Sequence, residues 1–202
     1  AYAFKNILDN IDLFIEPGQL LAGNHAASLR AASIFPEYCV NWIFEEIDQL
    51  DKRPGDRFLV NPDTRKELLE IAEWWKGKTL EDRCQATLPA SVKDAYQASV
   101  LSANGNMTSG DGHIMLDFEK ILHYGAQGII DEAKNNLDTL DLTVPDNHYK
   151  RIFYESVVIT YEGMIDYAKR YVILAKKLAA QATTSEEKAD YLHIADVCSH
   201  VP

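Results

Sequence analysis

From Asn147 to Ala182 the chain runs without a proline, and Phe153, Val157, Tyr161, Met164, Ala168, Tyr171, Ala175 and Leu178 step by three or four residues throughout. A stripe of that length and period specifies one long helix that buries a single face. The stripe reads as core or interface rather than as a cofactor box. Thr184 and Glu187 match a capping box, and the helix they open carries Ala189, Leu192, Ile194, Ala195 and Cys198.

The same reading places helices along the rest of the chain. Phe4, Ile7, Leu8 and Ile11 predict a short helix over Ala1 to Asp12. Pro17-Gly18 marks a turn, the apolar run Gln19 to Gly23 fits a strand, and Asn24 to Ser33, with Arg30, is irregular. Ile34-Phe35-Pro36-Glu37 suits a helix entry, since proline is tolerated in a first turn. That helix is expected to run to about Leu50, with Val40, Ile43, Phe44, Ile47 and Leu50 on one face, and to end at Arg53-Pro54-Gly55-Asp56. Asn61 caps the next helix, Pro62 takes its first position and Asp63 complements its dipole. Leu68, Leu69, Ile71, Ala72 and Trp75 are its apolar face and Gly77 terminates it. Thr79 and Pro89 start two modest helices, the second fading near Ser102.

Asn104 to Gly112 holds three glycines and two asparagines in nine residues and reads as a loop. Asp117 to about Leu140 then reads as helix despite Gly125 and Gly128. Each glycine costs about 1 kcal/mol relative to alanine in a helix interior, and such glycines usually mark close backbone packing. The fold class is mainly α, with one or two short strands.

The formal net charge of -11 argues against nucleic acid and anionic membrane as partners, because both demand clustered Lys and Arg. Apolar runs are short and broken by charge, as where Val172 to Leu174 meets Lys176 and Lys177, so no membrane span and no signal peptide is expected and the protein is placed in the cytoplasm. Cys39, Cys84 and Cys198 are odd in number and far apart, which reads as packed, reduced thiols. A start at Ala1 without Met and a stop at Val201-Pro202 suggest a cut piece.

The common catalytic constellations are missing: no phosphate loop, no His-Glu-x-x-His, no Gly-x-Ser-x-Gly and no dinucleotide fingerprint. Of His25, His113, His123, His148, His193 and His200, no two have the i, i+4 spacing of a helical metal pair, so no metal is expected. His113 stands apart because it follows Gly110-Asp111-Gly112 at the exit of the polar loop and precedes a helix. Such a position can project a side chain into a cavity.

Several segments taken in order resemble the opening region of pyruvate formate-lyase-like glycyl radical enzymes. They are Leu20-Leu21-Ala22-Gly23-Asn24, Ile34-Phe35-Pro36-Glu37, Trp42 with Glu45 to Asp48, and Trp75-Lys76-Gly77-Lys78-Thr79. Gly112-His113, Asp117-Phe118-Glu119-Lys120-Ile121-Leu122, Gly125, Gly128 and Ile129 continue the likeness. Tyr167-Ala168-Lys169-Arg170-Tyr171, Leu174-Ala175, Ile194-Ala195 and Val201-Pro202 look like the helical pair that leads into the family's barrel.

The resemblance implies the helical amino-terminal region of a ten-stranded α/β barrel enzyme, with 1–202 an incomplete domain that lacks the barrel core and the glycyl radical domain. It implies a backbone glycyl radical in the parent, installed by a radical-SAM activating enzyme, which converts a central cysteine to a thiyl radical that takes hydrogen from the substrate. The family's Cys-x-Glu and Arg-Val-x-Gly-Tyr-like settings do not occur here, so the chain alone is expected to be inactive and to carry no catalytic residue and no cofactor.

At the position of His113 the pyruvate enzymes resemble one another in an arginine that holds a carboxylate. Glycerol dehydratase-like members have a histidine that contacts a substrate hydroxyl, and neutral imidazole, with one donor and one acceptor, suits a hydroxyl. His113 therefore implies radical dehydration, decarboxylation or C-X cleavage of a small polar metabolite, with Ser109 and Asp111 lining the same pocket. A formate C-acetyltransferase is the rival of the same fold. The rival of another class is a non-catalytic helical interaction module that buries Tyr161 and Tyr171 against a partner. The remaining partners implied are the rest of the parent polypeptide and a second copy in a homodimer.

Overall fold

A computed structural model describes residues 1–24, 26, 31, 33–101 and 115–202. These contain the helices α1 (Tyr2–Asn10), α2 (Asn41–Glu46), α3 (Pro62–Trp75), α4 (Leu80–Thr87), α5 (Ala90–Gln97), α6 (Phe118–Asp138), α7 (Asn147–Gln181) and α8 (Ser185–His200), and no strand. They fall into two compact units, one of residues 1–31 and 115–202, the other of residues 32–114.

In the first unit α7 is the spine, and α1, α6 and α8 all pack on it. Tyr171 and Ala175 of the expected apolar stripe, joined by Ala179, enter a core shared with Tyr191, Ile194 and Ala195 of α8 and with Ile15, and Leu178 packs against it. Tyr171 is 2% exposed, so the ring that an interaction module would offer to a partner is buried in the chain's own interior. At the head of α8 the Thr184 hydroxyl accepts the Glu187 N–H at 3.1 Å. The Glu187 carboxylate reaches back to the N–H of Thr183 at 3.0 Å, one residue earlier than a reciprocal box requires.

Gln19 to Gly23 is not a strand, because its polar groups find local partners. The Gln19 N–H donates to the Glu16 carbonyl at 3.0 Å, its side chain accepts the Glu16 N–H at 3.0 Å and also donates to the Leu21 carbonyl at 2.5 Å. Side-chain bonds of this kind compete with a ladder.

The second unit is built on Val40, Ile43, Ile47 and Ala72, with Trp42, Leu68, Leu69 and Trp75 against them. Here α2 covers only Asn41–Glu46 where a helix from Pro36 to Leu50 was expected. The carbonyls of Glu37 and Tyr38 accept the N–H groups of Leu80 at 2.9 Å and Glu81 at 3.0 Å, at the start of α4. Both carbonyls thus find partners outside the helix expected from Pro36, and residues 36–38 form a turn instead. Thr79, fully buried, completes a capping box with Asp82. The chain thus passes from α3 through Gly77 into α4 as the turn residues predict.

Candidate functional site

Ser109, Asp111 and His113 lie outside the described residues. What is described is the element that receives the chain after them. Asp117 caps α6 by accepting the Lys120 N–H at 2.9 Å, four residues beyond His113 in sequence.

The helix α6 is an elbow rather than a rod. Gly125 has φ 63° and ψ 178°, a conformation open essentially to glycine alone. It separates an arm of residues 118–124 from one of residues 126–138. At Gly128 a Cβ would stand 2.9 Å from the Cβ of Tyr124, so the second glycine is required by space. In a straight helix Lys120 and Glu132 would be about 18 Å apart. In this structure the Lys120 Nζ lies 2.7 Å from the Glu132 carboxylate. Hydrogen bonding to Glu132 holds the Lys120 ammonium above its ordinary pKa.

The elbow encloses an open cleft of about 990 Å³ whose wall includes Asp117, Lys120, His123, Tyr124, Asp131 and Glu132. With carboxylates outnumbering cations there, the cleft does not favour an anion. A smaller groove of about 220 Å³ runs between the second arm and α7, lined by Ile129, Ala133, Phe153, Val157 and Tyr161. No group of three or more His, Cys, Asp or Glu among the described residues is placed to hold a metal ion. Nor is any described helix long and apolar enough to cross a membrane. Burial pushes the thiols of Cys39, where Glu81 adds to the effect, and of Cys198 above their ordinary pKa.

A second constellation anchors the segment that runs into residue 25. The Tyr167 hydroxyl donates to the Asn24 carbonyl at 2.7 Å and accepts the Asn24 N–H at 3.2 Å. The Tyr171 hydroxyl donates to the Asn24 side-chain oxygen, and the Asn24 amide donates to the carbonyls of Asp12 at 3.2 Å and Ala26 at 2.6 Å. Burial, then the contact with Tyr167, drives the Tyr171 hydroxyl far above its ordinary pKa, so it stays a donor at any physiological pH. Arg170, between the two tyrosines, donates to the carbonyls of Leu8 and, at 2.7 Å, of Ile11 at the end of α1. The segments of Asn24 and of Tyr167 to Tyr171 stood out in the sequence only through the family resemblance, and their contact, more than a hundred residues apart, had no local signal. Lys120 and Glu132 were equally hidden, since a spacing of twelve pairs nothing on a straight helix.

Comparison with known proteins supplies the wider context. The family profile described as "Pyruvate formate lyase-like" matches residues 1–202. The probable dehydratase YbiW of Escherichia coli (strain K12) is 34% identical over 198 residues, covering 98% of this chain and 24% of that protein. The (2S)-3-sulfopropanediol dehydratase of Klebsiella oxytoca is 32% identical, covering 100% of this chain and 25% of that protein. Among solved structures, the glycerol-bound B12-independent glycerol dehydratase from Clostridium butyricum superposes with a TM-score of 0.89 at 33% identity, over 98% of this chain and 25% of its own. The chain therefore spans about a quarter of the length of the curated relatives it matches.

Proposed function

The chain belongs to the pyruvate formate lyase-like family, and on that premise we propose that it is the amino-terminal quarter of a glycyl radical enzyme. The whole polypeptide dehydrates, decarboxylates or cleaves a C-X bond of a small hydroxylated metabolite in the anaerobic cytoplasm. The observation that carries this reading is the match of the entire chain to relatives named as dehydratases. His113, an imidazole at the loop exit, agrees with it, because one donor and one acceptor suit a substrate hydroxyl. Ser109 and Asp111 line the same pocket.

The glycyl radical is no part of this chain's chemistry. No glycine here has the radical site's setting, and Cys39, Cys84 and Cys198 precede Val40-Asn41, Gln85-Ala86 and Ser199-His200 rather than x-Glu. The residues present do not fit that group, and no step through it is assigned to them. The rest of the polypeptide supplies the radical centre, a radical-SAM enzyme activates it, and the whole polypeptide pairs as a homodimer. The chain's own part is to bind and orient substrate.

The test is His113→Ala in the activated, full-length polypeptide, assayed with glycerol and (2S)-3-sulfopropanediol. Loss of one hydrogen bond to a substrate hydroxyl should lower kcat/KM by roughly five- to a hundredfold and leave the melting temperature where it was. Equal loss of activity and stability would assign His113 a structural role instead.

A further inference from the structure

We draw no further inference here: the strongest candidate, the apolar groove between the second arm of α6 and α7 lined by Ile129, Ala133, Phe153, Val157 and Tyr161, carries nothing because the chain spans about a quarter of the length of its relatives and nothing in the structure shows what covers that face.

Discussion

Gly125 and Gly128 stand three residues apart, and the structure needs each for a different reason. At Gly125 the requirement is conformational, since φ 63° with ψ 178° excludes side chains even where space is open. At Gly128 the backbone is helical and the requirement is room, with Tyr124 where a methyl group would go. Gly125→Ala should therefore destabilise the chain by roughly 1–3 kcal/mol through backbone strain, and Gly128→Ala by about 1–3 kcal/mol through overpacking. Chemical denaturation measures both. A change below experimental error would show, at Gly125, that α6 straightens without cost and, at Gly128, that Tyr124 moves aside without cost. The sequence announced the two glycines as a cost to a helix and as a mark of close packing. It did not announce an elbow, because propensity is a sum over residues and carries no direction.

At the scale of elements, the long α7, α8, α3 and α1 were legible, because apolar periodicity and capping residues are local signals. What was not legible depended on partners far away in sequence. Where a helix was expected from Pro36, the carbonyls of Glu37 and Tyr38 instead meet the head of α4, and the expected strand is replaced by the bonds of Gln19 and the clasp on Asn24. That clasp makes a prediction: Tyr167→Phe strips the partner from both backbone groups of Asn24 and should cost about 1–3 kcal/mol in unfolding free energy, whereas a surface hydroxyl would cost nothing. The head of α4 makes another. Burial pushes the Asp82 carboxyl up, but the hydrogen bonds donated by the Thr79 hydroxyl and N–H, with the nearby polar groups of Asn41 and Gly77, outweigh it and leave the pKa below its ordinary value. The box therefore contributes fully above the ordinary carboxylate range and is lost as pH falls from there through the lowered pKa. The stability gap between wild type and Asp82→Asn should shrink over that acid window in pH-dependent denaturation. A constant gap would mean that Asp82 gains nothing from its charge.

At the scale of the molecule, the two units have separate cores of unequal size. One joins Ile15, Tyr171, Ala175, Ala179, Tyr191, Ile194 and Ala195, and the other is centred on Val40, Ile43, Ile47 and Ala72. Local opening follows the density of buried apolar contacts, so amides in α2 to α5 should exchange faster than those in the middle of α7 and in α8. Uniform protection would contradict the division.

The candidate site was legible only as a loop of glycines with one histidine at its exit, and as an ordered likeness to a known family. The described residues account for the helix that follows the loop, and the chain spans about a quarter of the length of the curated relatives it matches. The most direct measurement is a crystal structure of the full-length polypeptide with glycerol or (2S)-3-sulfopropanediol bound, whichever is turned over. The account predicts a ring nitrogen of His113 within about 2.7–3.2 Å of a substrate hydroxyl oxygen. A filled substrate cavity with the His113 ring packed elsewhere would contradict it.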